Sequence, residues 1–131
     1  MNAPFDSKQL ETFTEQGYLV LPSFLDEAHR QRLREDVDQL NANREVMSWD
    51  EQPHLVSYPE LGQLTSHPKL IEQLQSIMGE RFAMHHIHAV RQDAGNPGVN
   101  WHHDYEQFPQ CNRSHTMVHV FFYLNGLNGE V

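Results

Sequence analysis

A histidine and a carboxylate two positions apart, His102 and Asp104, are the residues best suited to chemistry in this chain. They lie in the stretch WHHDY, which runs from Trp101 to Tyr105. Side chains two residues apart on a strand project from the same face, so this imidazole and this carboxylate can reach one divalent metal ion. A second histidine would complete the two-His-one-carboxylate set of non-haem Fe(II) oxygenases. His103 would project from the opposite face, and we do not count it as a ligand.

Histidine is unusually frequent, with ten residues against nine lysines and arginines together. Those of the second part of the chain are His85, His86, His88, His102, His103, His115 and His119. In such a chain a His-x-Asp pair also arises by chance, so the spacing leaves a metal site and a structural surface pair both open. His119, midway along a predicted strand, is a candidate third ligand, although a structural strand histidine is the commoner case. His115 lies nearer a turn.

Three other side chains near this stretch are candidates for binding. Arg91 and Arg113 could each hold an anionic group of a substrate, or they could be surface charges. Trp101, next to His102, is a candidate substrate contact. Nothing around Cys111 indicates a reactive thiolate, so we interpret it as a loop cysteine.

Amphipathic helices are predicted in the first part of the chain. The first begins at a capping box formed by Asp6 and Gln9 and stops at Gly17. The three predicted helices cover residues 6–16, 27–41 and 68–78, and the second follows Asp26 as its cap. The charge run HRQRLRED of the second helix is interpreted as its solvated face. Residues 42–65 lack periodicity and are interpreted as a long loop that either packs on the surface or covers a substrate, and the second interpretation is favoured.

The second part of the chain has the composition of β-structure. Alternating or β-branched runs predict strands at residues 81–91, 99–105 and 117–124, and a short one at residues 18–21. The chain therefore reads as one α+β domain over residues 1–131, mainly helical over residues 1–80 and β over residues 81–131.

Composition excludes several classes of function. A formal net charge of −9 argues against nucleic acid as a partner, because phosphate neutralisation needs clustered Lys and Arg. No stretch approaches the ~20 apolar residues of a membrane span, and the N-terminus lacks the features of a secretory signal. The single cysteine, Cys111, suits a reducing compartment, so we expect a cytoplasmic protein.

Four stretches of the sequence also carry a family resemblance. They are Phe13-x-x-x-Gly17-Tyr18-Leu19-Val20-Leu21-Pro22-x-Phe24-Leu25, His67-Pro68-x-Leu70 with Leu74 and Gly79, Met84-His85, and Trp101-His102-x-Asp104 continuing to Phe108-Pro109 and Arg113. In this order they resemble the phytanoyl-CoA dioxygenase family of Fe(II)/2-oxoglutarate oxygenases, and the fourth is the most specific. Together they match only the N-terminal half of a family domain.

The resemblance implies a fold and a set of site residues. The fold would be N-terminal helices around part of a double-stranded β-helix, a jelly-roll or cupin-like barrel, truncated at Val131. His102 and Asp104 would bind iron, and Ile87 and Phe122 would lie beside the cosubstrate 2-oxoglutarate. The family's distal histidine ligand, and the arginine that pairs with the 2-oxoglutarate carboxylate, are expected beyond the end of this sequence.

The function implied by the resemblance is hydroxylation of a small organic or acyl substrate with O2, Fe(II) and 2-oxoglutarate. Asp104 favours hydroxylation over halogenation, since halogenating relatives carry Gly or Ala at this position. Trp101 and Arg113 would contact the substrate. The alternatives are a catalytically incomplete fragment, or a non-catalytic metal-binding jelly-roll module that uses His102, Asp104 and His119. Neither the substrate nor the oligomeric state is predicted.

Overall fold

Four α-helices and one 3-10 turn make up the regular structure seen in a computed structural model, which describes residues 4–42, 55–91, 95, 100–102 and 116–126. The elements are α1 (Ser7–Gln16), α2 (Glu27–Ala42), the 3-10 turn (Leu55–Ser57), α3 (Pro59–Leu64) and α4 (Pro68–Met78). The chain divides into two compact units, Met1–Val90 and Arg91–Val131. All five elements lie in the first unit, which we call the helical unit.

Helix α1 begins and ends where its local sequence requires. The Asp6 carboxylate accepts a hydrogen bond from the Gln9 backbone N–H at 2.8 Å, and the Gln9 side chain accepts one from the Asp6 N–H at 3.0 Å. These two bonds satisfy donors that the first helical turn leaves without partners. Gly17 takes a left-handed conformation, φ 79°, and its N–H donates to the Phe13 carbonyl oxygen at 2.8 Å. The capping box and the glycine stop are therefore confirmed.

Helix α2 follows the predicted cap but buries one residue that was assigned to its solvated face. The Asp26 carboxylate accepts a hydrogen bond from the His29 N–H at 2.7 Å, and Leu33 and Leu40 are buried as the apolar stripe predicts. Asp36 is also buried, with 6% of its surface exposed. It lies three residues after Leu33 and four before Leu40, so it shares their face of the helix. The solvated-face interpretation of HRQRLRED is therefore wrong for Asp36.

The buried carboxylate of Asp36 caps the N-terminus of α3. Its Oδ2 atom accepts hydrogen bonds from the backbone N–H groups of Glu60 at 2.7 Å and Leu61 at 3.0 Å. The residue in the N-cap position of α3, Tyr58, makes no capping bond with its own side chain. Asp36 of α2 thus acts as the N-cap of α3, a role usually filled by an Asp, Ser or Thr at the N-cap position itself. Its negative charge also faces the positive end of the α3 dipole.

Glu60 adds a second polar connection between α2 and α3. Its carboxylate lies 3.0 Å from the Nε atom of Arg32 and 3.5 Å from the Nε2 atom of His29. The Arg32 side chain is about half exposed, so water screens this pair and each contact contributes modestly. Together with Asp36, these residues place one row of α2 against the first turn of α3.

Most of residues 55–64 are helical and three of their leucines are buried, which corrects the prediction of a loop over residues 42–65. Leu55, Leu61 and Leu64 are among the most buried side chains of the described chain. Gly62 allows this packing, because a Cβ atom there would lie 2.3 Å from the carbonyl oxygen of Val56. A helix of six residues is too short to show a clear helical repeat in its sequence, and its stability depends on contacts with distant residues. For this reason α3 was not predicted. Residues 43–54 lie outside the described part of the chain.

Helix α4 has the predicted ends and a less buried apolar face than predicted. Pro68 occupies its first turn and Gly79 follows its last residue. The apolar stripe of α4 is only partly buried along its whole length; its members are Leu70, Ile71, Leu74, Ile77 and Met78. The buried residue of the helix is Gln73. Among the helices that the structure describes, none has the length and apolar character needed to span a membrane.

No strand is present among the described residues, although three predicted strands fall on them, at residues 18–21, 81–91 and 117–124. Strand-forming composition defines a segment that can pair, but a strand exists only when a neighbour supplies the ladder of hydrogen bonds. Within the described ranges no segment supplies that ladder. The α+β prediction is therefore confirmed for its helical part only. Of the fourth predicted strand, only residues 100–102 are described.

We expect Asp36→Ala to lower the free energy of unfolding by about 1–3 kcal/mol, because two backbone donors of α3 lose their charged acceptor. Urea unfolding of the full chain, followed by far-UV circular dichroism, measures this change. Glu35→Ala removes the same charge from the neighbouring exposed position and should change stability by less than about 0.5 kcal/mol. Equal effects of the two variants would contradict the role assigned to Asp36.

We also expect Gly62→Ala to destabilise the protein by about 1–3 kcal/mol, although alanine is the better helix former. The added Cβ atom must displace the Val56 carbonyl group, which lies 2.3 Å from its ideal position. Thermal unfolding of the full chain tests this. The matched variant Gln63→Ala, at the next and exposed position of α3, should leave the melting temperature unchanged or raise it. A Gly62→Ala protein as stable as the parent would rule out the tight contact.

Candidate metal-binding site

His102 is held by a backbone carbonyl group of its own segment. Its Nδ1 atom lies 2.7 Å from the carbonyl oxygen of Asn100. A carbonyl oxygen carries no hydrogen, so the ring nitrogen must be the donor, and the neutral ring has its lone pair on Nε2. Metal-binding histidines show this arrangement, in which one ring nitrogen donates to a carbonyl or carboxylate and the other coordinates the ion. The exposed imidazole of His102 therefore fits a metal ligand that binds through Nε2.

Most of the other residues predicted for this site lie outside the described ranges. They are Asp104 and Arg113, and with them His103, His115 and Cys111. Within the described ranges, no three His, Cys, Asp or Glu side chains are grouped so that they could hold a metal ion. His102 is thus the member of the predicted ligand set whose local geometry is known, and its pairing with Asp104 stays a prediction.

Trp101 and Arg91, two candidates for substrate contact, are both exposed. The Trp101 indole shows essentially its whole surface to solvent. Arg91 is exposed as well. An indole beside a metal ligand offers a flat apolar surface for a substrate, but no substrate group is defined by the structure. The predicted roles of both residues therefore stay predictions.

The rings at every second position of residues 119–123 lie in one row. The rings of His119, Phe121 and Tyr123 stack in one row, with centroids 6.1 and 6.3 Å apart, and all three residues are exposed. Phe122, assigned to the cosubstrate, falls between them in sequence and is partly buried. A period of two is that of an extended chain, so Phe122 and the alternative ligand His119 belong to opposite sides of this segment.

The segment around Ile87 departs from the predicted alternation at its histidines. Ile87 is partly buried and Ala89 is buried, as expected for residues that share a side. In the predicted strand His85 would share that side and His86 would face the opposite one, yet their Nδ1 atoms are 2.6 Å apart. Neighbouring side chains of a pleated strand cannot meet in this way, so the strand alternation predicted for this segment is wrong at His85 and His86. The assignment of Ile87 to 2-oxoglutarate stays a prediction.

Asn100 is the residue at this site that sequence reasoning did not single out. Its contribution is the backbone carbonyl oxygen at 2.7 Å from His102 Nδ1, which any residue at this position would offer. A main-chain contact of this kind leaves no signature in residue types. The only sequence clue was its place two residues before a predicted ligand.

We expect the neutral ring of His102 to carry its proton on Nδ1 before any metal is added, since the Asn100 carbonyl oxygen accepts that proton. Long-range proton–nitrogen NMR spectra of the metal-free chain distinguish the two tautomers. The chain unfolded in urea provides the reference population for a ring without this contact. A His102 ring protonated on Nε2 in the folded chain would remove the support for coordination through that atom.

One family model matches this chain, that of phytanoyl-CoA dioxygenase (PhyH), and it aligns with residues 13–129. The matched range contains His102 and Asp104, together with helices α2, α3 and α4. No curated protein and no solved structure is significantly similar to the chain. The family implies a double-stranded β-helix and small-molecule oxygenase chemistry. Because the matched range takes in most of the sequence, the protein belongs to the phytanoyl-CoA dioxygenase family.

Proposed function

We propose that this protein works as a non-haem Fe(II)- and 2-oxoglutarate-dependent dioxygenase that hydroxylates a small organic or acyl substrate. Membership of the phytanoyl-CoA dioxygenase family supports the reaction class. The observation that carries the proposal for this chain is the hydrogen bond from His102 Nδ1 to the Asn100 carbonyl oxygen, because it prepares Nε2 to coordinate a metal ion.

The proposed ligands are nitrogen and oxygen donors, which suit iron. His102 would contribute Nε2 and Asp104 a carboxylate oxygen, and neither ligand is a thiolate of the kind that favours zinc or iron–sulfur sites. When bound, iron with 2-oxoglutarate and O2 supplies the oxidising power for hydroxylation of a C–H bond. No third ligand is assigned in this sequence.

The remaining residues of the proposal bind and orient the organic molecules. Ile87 and Phe122 are assigned to contacts with 2-oxoglutarate, and both are partly buried. Trp101 offers an exposed apolar surface for a substrate, and Arg113 offers a guanidinium group for an anionic substituent. These two side chains together suit a small molecule that has an apolar part and an anionic part.

Fe(II) binding tests the ligand pair. Under anaerobic conditions, the full chain with 2-oxoglutarate should bind Fe(II), and His102→Ala or Asp104→Ala should weaken that binding at least about tenfold, because each variant removes a metal-binding atom. Isothermal titration calorimetry and the visible charge-transfer band of the complex provide two readouts. His103→Ala is the matched control, since it removes a neighbouring imidazole that was predicted to face away, and it should bind like the parent chain.

Succinate release from 2-oxoglutarate across a panel of acyl and amino-acid substrates then separates the dioxygenase from the alternatives. Iron binding that depends on His102 and Asp104, without succinate from any substrate, would favour the non-catalytic metal-binding module. Iron affinity equal in the parent chain and both ligand variants would exclude this ligand pair altogether.

A further inference from the structure

A second group of imidazoles lies in the helical unit, separate in sequence from His102. His85, His86 and His88 are all exposed. The His85 and His86 rings meet nearly edge to face, with centroids 4.9 Å apart, and the His86 and His88 rings follow at 4.7 Å. The proposed dioxygenase site does not use these three histidines.

The His85 and His86 rings face each other through their Nδ1 atoms, which are 2.6 Å apart. One ring must donate to the other, so one Nδ1 atom carries a hydrogen and the other offers a lone pair. Two imidazole nitrogens bound in neighbouring positions of one ion at about 2.0–2.1 Å lie roughly 3 Å apart. A separation of 2.6 Å is therefore a few tenths of an ångström from the spacing of a two-nitrogen chelate.

We propose that His85 and His86 form a chelating site for a divalent late-transition-metal ion, with Cu²⁺ bound most tightly. The donating ring moves its proton from Nδ1 to Nε2, and both rings turn so that their Nδ1 lone pairs converge on the ion; no net proton is lost. Two imidazoles in neighbouring positions suit the tetragonal geometry of Cu²⁺, which also binds such ligands more strongly than the other divalent first-row ions.

The surroundings of the pair favour an exposed two-ligand site. Solvent reaches both rings, so water can fill the remaining coordination positions. The His88 ring lies beside the His86 ring, with the two planes tilted by 52°. The formal net charge of −9 attracts cations to the molecule as a whole.

Copper binding to the full chain tests the chelate. In a titration of the metal-free protein followed by electron paramagnetic resonance, His85→Ala and His86→Ala should each weaken one Cu²⁺ site about tenfold or more, because either change leaves a single imidazole. The double variant should bind Cu²⁺ at this site only slightly more weakly than either single variant, since all three changes remove the same chelate. Both positions are exposed, and unchanged circular dichroism establishes that the variants are folded.

Two controls separate this site from other histidines. His119→Ala removes an equally exposed imidazole, and His102→Ala removes the proposed iron ligand. Both should retain the Cu²⁺ site with the affinity of the parent chain. The proposal is overturned if His85→Ala and His86→Ala bind copper like the parent chain. It is equally overturned if His102→Ala abolishes the same signal, because copper would then be reporting the iron site.

Discussion

The buried carboxylate of Asp36 is the contact on which the arrangement of the helical unit depends. Helix α3 has six residues, which is too short for a helix to be stable by itself in water. The Tyr58 side chain does not cap this helix. Two backbone N–H groups of its first turn instead donate to the Asp36 carboxylate of α2. In the helix that starts at this turn, Leu61 and Leu64 are buried, and Glu60 lies beside Arg32 and His29.

The sequence predicted helix ends that depend on neighbouring residues. It did not predict contacts between segments that are distant along the chain. Asp6, Gln9 and Gly17 define α1 within a dozen residues, so a pattern search finds all three. Helix α3 is different, because its cap lies more than twenty residues away and Gly62 weakens its intrinsic helix propensity. The position of Asp36 between Leu33 and Leu40 was the clue to its burial.

The same distinction applies to the candidate site, where residue types could be predicted from the sequence and side-chain orientations could not. The proposed metal-binding residue types are present in the His102-x-Asp104 spacing, and the family match indicates a reaction class that this spacing alone left open. The orientation of the His102 ring depends on a main-chain carbonyl oxygen, which residue types do not encode. The same limit applies to His85 and His86, whose contact contradicts the alternation expected of a strand.

The apolar segment of residues 117–124 has a consequence for how the protein behaves at high concentration. Its sequence, MVHVFFYL, contains no proline, glycine or ionised carboxylate, lysine or arginine. Val120, Phe121 and Tyr123 are exposed, and within the described ranges no neighbouring strand occupies its backbone. Segments of this composition add to one another as the strands of a growing fibril when they come together. Within the described chain, this segment is therefore the one whose composition most favours association between copies of the protein at high concentration.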